Sequence, residues 1–266
     1  MKKIIINADD YGLTPSVSKG IRNAHLNGIL TSTTVMATGF SIEDDAKLLI
    51  NECPRLGVGV HLTLTSVFSV LSKYQISTIV NNDGKFFSPK ELIANKENID
   101  ETELYNEWKA QIEKLLLLGL PIDHLDSHHY VCYLNNKTLN VMIKLAKEYN
   151  LSVRTPASPD NCETFEKDAE RLLNKEGIKF PSTFYVDFTK QEGELNVLFE
   201  LFRFSNDPDN IEILSHAGIV DNLLKEISSL TYSREIELKS LCDKKTISFV
   251  GENTDIQLTT FKKMFL

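Results

Sequence analysis

The amino-acid sequence predicts an α/β protein, a TIM-like (β/α) barrel that is distorted or reduced to seven strands, in one domain covering residues 1–266. Three observations predict it. Apolar β-branched runs alternate with amphipathic stretches along most of the chain, and that alternation means parallel strands with right-handed crossovers. The first run, Ile4-Ile5-Ile6, reads as a strand buried on both faces, the kind found in parallel sheets. No Gly-x-Gly-x-x-Gly follows it, so a dinucleotide-binding sheet loses ground to a barrel. The length agrees, because barrels run to about 200–250 residues as a single unit.

Taken in order, the first strand runs into Asn7-Ala8-Asp9-Asp10-Tyr11-Gly12. Thr14-Pro15 is an N-cap and first-turn pair, opening a helix that carries Val17, Ile21, Ala24 and His25 and ends near Asn27-Gly28. Thr31 to Ala37 is a second strand, and Ser41 caps a helix that ends at Pro54. Gly57 to Thr65 is a third strand. Residues 66–99 keep no steady period, and Asn81-Asn82-Asp83-Gly84 within them signals a turn. A long insertion of this kind is usually functional, and we expect a lid or a wall of the substrate cleft.

Leu104, Trp108, Ile112 and Leu115 restore the helical period. Strand four is expected around Asp123 to His128, then a helix through Leu139, Ile143 and Ala146, then a short fifth strand from Ser152 to Pro156. Helix 163–176, strand 183–188, helix 192–203, a strand from Ile211 to His216, a helix near 233–243 and a last strand from Thr246 to Val250 complete the pattern.

Composition narrows the function. With a formal net charge of -8 and no basic cluster, the chain is a poor match for a nucleic-acid backbone. No stretch approaches the roughly 18 apolar residues of a membrane helix, and the run at Ile4–Ile6 is too short for a signal-peptide core. Cys53, Cys132, Cys162 and Cys242 are widely spaced, which fits free thiols in a reducing, cytoplasmic setting.

In a parallel barrel the carboxyl ends of all strands converge on one mouth. Asp9 and Asp10 end strand one, His61 lies on strand three, His128 and His129 end strand four, Arg154 lies on strand five, and His216 ends the strand beginning at Ile211. One acid, two imidazoles and open positions make a catalytic metal site, which we expect from Asp10, His61 and His128. Asp9, adjacent but off the metal, would take a proton from water, and His216 would protonate a leaving group. Arg154 would orient a substrate carboxylate or stabilise an oxyanion, and Asp126 would orient a ligand from behind. Each residue also has a plainer role. Asp9-Asp10 fits a strand-to-helix turn, a lone histidine on a strand is usually a core residue, and Arg154 fits a structural ion pair. His25 and His124 belong in that core class. Convergence of four strand ends is what favours chemistry.

These motifs resemble the YdjC-like carbohydrate deacetylases, among them enzymes that process diacetylchitobiose. The resemblance is carried by Asn7 to Gly12, Thr31 to Thr34, Gly59-Val60-His61-Leu62-Thr63, His124-Leu125-Asp126-Ser127-His128-His129, Arg154-Thr155 and Ser215-His216-Ala217-Gly218. It implies a TIM-like barrel and one divalent ion, Mg2+ or Zn2+, held by an Asp and two His. It also implies release of acetate from an N-acetylated amino sugar, and a homodimer. Carried over by position, the ligands are Asp10, His61 and His128, the base is Asp9 and the acid is His216. Tyr130 and Cys132 stand where relatives often have further histidines, and Ala217 stands where they often have proline. Aromatic residues of the insertion, Phe68, Tyr74, Phe86 and Phe87, are available to stack on sugar rings or to pack the loop. Two other functions suit the same residues: another metal-dependent ester or phosphoester hydrolase, and a sugar-binding barrel without turnover.

Overall fold

The computed structural model describes residues 1–65, 67–159, 161–185 and 210–265. Strand β1 (Lys2–Tyr11) is buried on both faces, as its isoleucines predict. Ile4, Ile6 and Ala8 join the large helix-facing core, whereas Ile5 packs inward against Phe261 and Met264. Helix α1 (Pro15–Asn27) begins as read, with Thr14 Oγ1 accepting from the Val17 amide. β2 (Ser32–Val35), α2 (Ile42–Glu52), β3 (Gly57–Leu62), α3 (Pro89–Asn95), α4 (Glu101–Leu117), β4 (Ile122–Ser127) and α5 (Asn136–Tyr149) follow. β5 (Ser152–Val153), α6 (Glu163–Lys175), β6 (Thr183–Tyr185) and β7 (Asn210–Ser215) come next. The described chain ends with α7 (Asn222–Ile227), α8 (Tyr232–Leu241), α9 (Lys244–Glu252), β8 (Ile256–Leu258) and α10 (Phe261–Phe265).

Among the described residues the sheet's strands pair in parallel, in the order β5-β4-β3-β2-β1-β7-β6, with β8 paired to the start of β1. The sheet must curl. β5 lies four strand steps from β1, roughly 19 Å if the sheet were flat. Yet Arg154, just past β5, reaches Asp9 on β1 at 2.7 Å. The two ends of the path also approach each other: Val153 N donates to Lys179 O at 2.9 Å and Thr155 Oγ1 to Pro181 O at 2.7 Å, both just ahead of β6. This is the distorted, barrel-like α/β fold that the alternation predicted.

Two sequence expectations need correction. Thr246 to Val250 is helix within α9, because Asp243 caps it, accepting from the Lys245 and Thr246 amides. The last strand is β8, where Lys2 to Ile4 supply a pairing edge. The expected helix 192–203 and the end of strand 183–188 lie outside the described residues.

The insertion after β3 is more folded than a loose lid. Val67, Ile76, Ile79, Val80 and Phe86 enter the main core. Helix α4 holds the segment from beneath: Glu107 accepts the Val70 and Leu71 amides, each at 2.9 Å, and Glu103 accepts the Thr78 amide at 2.7 Å. Of the four aromatic residues considered for sugar stacking, Phe68 and Tyr74 are exposed, while Phe86 is buried and Phe87 packs against the core.

Candidate active site

The mouth of the barrel is built on an irregularity in β1. In a regular strand, adjacent side chains point to opposite faces, so Asp9 and Asp10 should diverge. Asp10 instead has φ 71, and the pairing of β1 with β2 shifts register between Ala8 and Tyr11. Such a bulge re-aims a side chain. Both carboxylates therefore face one imidazole: His61 Nε2 lies 3.3 Å from Asp10 Oδ1 and 4.0 Å from Asp9 Oδ2.

Asp10, His61 and His128 come together as expected. His128 Nδ1 is 3.1 Å from Asp10 Oδ1, and the two imidazole rings meet edge-on with centroids 5.4 Å apart. Their ligand atoms lie within 4.8 Å of one another. Asp10 Oδ1 is buried between the two imidazoles. A carboxylate oxygen facing two imidazole nitrogens suits a shared cation, although imidazole N–H groups would also satisfy it. A second group, Asp9, His61 and Asp126, is equally compact, but its carboxylates are already taken up by Arg154 and Thr34.

Each member is held from behind. Asp126 Oδ1 is 2.7 Å from His61 Nδ1, which leaves Nε2 to face Asp10. Asp9 accepts from Arg154 through both terminal nitrogens, at 2.8 and 2.7 Å, and from Asn7 Nδ2 at 2.8 Å and Thr34 Oγ1 at 3.2 Å. Asp10 Oδ2 accepts from Arg234 NH2 at 2.6 Å. The same guanidinium donates to the His216 carbonyl at 3.4 Å, and Glu237 accepts the His216 amide, so the His216 loop is tied to the Asp10 carboxylate.

Burial would raise both aspartates, but the charges around them win. Arg154 and His61 hold Asp9 well below the usual carboxylate range, and Arg234 and His128 do the same for Asp10. Burial disfavours a charged His61, yet the Asp126 and Asp9 carboxylates outweigh it and push the group up to about 10.

Arg154 stands at the strand-five end, where its sequence position put it, with its side chain turned to protein groups. It is buried, with Nε on Glu212 at 2.8 Å and its terminal nitrogens on Asp9 and Asp126. Its donors serve protein carboxylates. The sequence reading missed Asn7, Thr34, Glu212 and Arg234. Asn7 and Thr34 lie inside motif blocks already singled out, and Arg234 carries no local signal. His25, on its helix, bonds the Leu30 carbonyl, and His124 is buried beneath the mouth, both away from the ligand group.

The model of YdjC-like proteins matches residues 3–252. The chain belongs to the YdjC-like family. A carbohydrate deacetylase of Thermoanaerobacter pseudethanolicus is 35% identical over 266 residues, spanning 98% of each chain. One from Oceanobacillus iheyensis is 35% identical over 243 residues, 90% of this chain and 96% of that one. A similar fold is seen in a crystal structure from Enterococcus faecalis V583, described as a cellobiose-phosphate cleavage protein. It matches with a TM-score of 0.89 at 30% identity, over 100% of this chain and 99% of that chain.

Proposed function

We propose that this chain is a carbohydrate deacetylase that hydrolyses the N-acetyl group of an amino sugar or small chitooligosaccharide and releases acetate. The observation that carries the reading is a buried Asp9 carboxylate, forked by Arg154 and held beside the Asp10–His61–His128 group but apart from it. A second carboxylate beside the ligand group but outside it suits proton transfer better than binding alone.

A divalent ion held by Asp10, His61 and His128 would polarise the acetyl carbonyl and acidify water next to it. Asp9 is the base that takes the proton as water adds to that carbonyl. Its ionisation and aim come from Arg154, Asn7 and Thr34. His216, on the loop after β7, gives a proton to the departing amine as the C–N bond breaks. Asp126 keeps His61 in the tautomer that presents Nε2. Arg154 acts on Asp9 and does not touch substrate. The carboxylate and imidazole donor set accommodates Zn2+ or Mg2+.

The test is acetate release from diacetylchitobiose and from its 6-phosphate, with metal-stripped protein re-supplied with zinc, magnesium or cobalt. The phosphorylated arm is included because a relative of 30% identity is described by cellobiose-phosphate cleavage. Metal-dependent acetate is the expected result. Asp9→Asn should lower kcat by about 10²–10⁴-fold while the metal stays bound. Full activity in that variant would remove Asp9 from the base role.

A further inference from the structure

Below the mouth, the inside of the barrel stays polar. Alternation carries the inward face of β1 from Asp9 down to Asn7 and Ile5, and Asn7 confirms it by donating to Asp9. The same alternation places Ser32 below Thr34, Gly59 below His61, and His124 below Asp126, while Glu212 enters from β7, where it pairs with Ile5. Asn7 Oδ1, Ser32 Oγ, His124 Nε2 and Glu212 Oε2 are all buried there without a hydrogen-bond partner. A side chain at Gly59 would collide with the His124 imidazole, which lies flat against Phe261 with centroids 3.7 Å apart.

Glu212 is the carboxylate of this layer that touches the site. One of its oxygens accepts from Arg154 Nε at 2.8 Å, while the opposite edge of the same guanidinium carries Asp9. One rigid planar group thus joins two buried carboxylates, and the position of one constrains the other. We propose that Glu212 is a positioning residue for the reaction, fixing the Nε edge of Arg154 and through it the aim and basicity of Asp9. This rests on the reading of Asp9 as the base.

The groups that face Glu212 are Arg154 after β5, Asp126 and His124 on β4, and Tyr133 in the turn after β4. Burial pushes Glu212 up to about 7 against the pull of Arg154. When Glu212 takes a proton, the Arg154 charge is balanced by Asp9 and Asp126 alone, and Asp9 becomes a weaker base. Activity should therefore fall on the acid side of neutrality, and Glu212→Gln should behave like the protonated form at every pH.

The experiment is kcat and KM of acetate release against pH for wild type, Glu212→Gln and Glu212→Asp, with thermal melts of the metal-free proteins alongside. We expect Glu212→Gln to lower kcat at pH 8 by up to about tenfold, the effect of one pKa unit on a base, with KM nearly unchanged and the acid limb flattened. Glu212→Asp, which keeps the charge, should retain that limb. The melts need no substrate. A carboxyl whose folded pKa is raised contributes stability that is complete below its unfolded value and is lost as pH rises through the folded one. The advantage of wild type over Glu212→Gln should thus shrink between about pH 4.5 and pH 7. If wild type releases acetate while Glu212→Gln matches it in kcat and pH profile, the proposal alone fails. If wild type releases no acetate from any N-acetylated sugar, the deacetylase reading fails and takes the proposal with it.

Discussion

Two parts of this molecule bury carboxylates almost completely and treat them in opposite ways. Asp9 and Asp10 at the barrel mouth are 3% and 1% exposed, and Glu107 beneath the insertion is 0% exposed. Burial pushes all three toward the neutral acid. Asp9 and Asp10 nevertheless end below their ordinary value, while Glu107 ends above it. The difference is in the partners. The aspartates face the guanidiniums of Arg154 and Arg234, whereas Glu107 faces the amides of Val70 and Leu71 and the side chain of Gln111. Amide donors satisfy a carboxylate without offsetting the cost of removing its charge from water; the guanidiniums at Asp9 and Asp10 do both, whereas at Glu212 the single Arg154 Nε contact does not outweigh burial. The mouth thereby keeps an ionised base ready at neutral pH, and the clamp under the insertion keeps only a tether.

The largest effect should come from taking the cation away. Arg154→Met leaves Asp9, Asp126 and Glu212 buried with no guanidinium between them, and breaking a buried pair in this way costs about 3–5 kcal/mol. Urea unfolding of the metal-free protein at pH 7 measures it. Arg154→Lys keeps the charge but loses the fork onto Asp9, so it should recover part of the stability and little of the activity. A loss below about 1 kcal/mol for the Met variant would mean that desolvation, and not the charge partner, separates the two regions.

This contrast also shows what a sequence carries. The grouping of Asp10, His61 and His128 was legible because parallel topology sends every strand end to one mouth, so strand assignment alone brings them together. Asp126 was legible because strand alternation puts it on the face of His128. The charge partners were not. Arg234 meets Asp10 across 224 positions and Arg154 meets Asp9 across 145, and nothing local marks either arginine as aimed at an aspartate. Arg154 was placed at the correct rim but given to the substrate, since a strand-end arginine looks the same whether it faces the cleft or its neighbours. The bulge at Asp10 was hidden for a related reason: φ 71 in a non-glycine residue depends on the tertiary frame, not on the pair Asp-Asp. The misread strand at Thr246–Val250 shows a β-branched run overruled by its cap, Asp243. The clamp on the insertion was invisible because Glu103, Glu107 and Gln111 recur every four residues on α4, a spacing that reads as an ordinary helix face.

A middle-sized effect is expected at the clamp. Glu107→Gln keeps one acceptor oxygen but turns an NH2 group toward the second amide, leaving one buried donor unpaired at about 1–3 kcal/mol. The sign of its pH dependence separates the regions. Asp9 and Asp10, with lowered folded values, contribute stability above their unfolded value of 3.8 and lose it as pH falls through the folded values. Glu107, with a raised one, contributes stability that is complete below 4.5 and is lost as pH rises through the folded value. The melting-temperature gap between wild type and Glu107→Gln should therefore widen from pH 7 to pH 5. Hydrogen exchange at the Val70 and Leu71 amides should quicken in the variant. A gap that narrows on acidification would show Glu107 behaving like the mouth aspartates, and the partner argument would not hold.

The smallest effect comes from a pair that looks strongest by distance. Lys167 Nζ lies 2.5 Å from Glu163 Oε1 on α6, closer than any contact between Arg154 and its carboxylates, and both side chains are mostly exposed. Water already solvates these charges, so their pairing replaces one good environment with another and costs side-chain freedom. Lys167→Ala should leave the urea midpoint at pH 7 unchanged within error, at low salt and at 0.5 M salt alike. The same substitution logic applied to Arg154, whose carboxylate partners are buried, is expected to cost about 3–5 kcal/mol. A clear loss at Lys167 would mean that proximity alone sets the worth of an ion pair, and the difference between mouth, clamp and surface would need another cause.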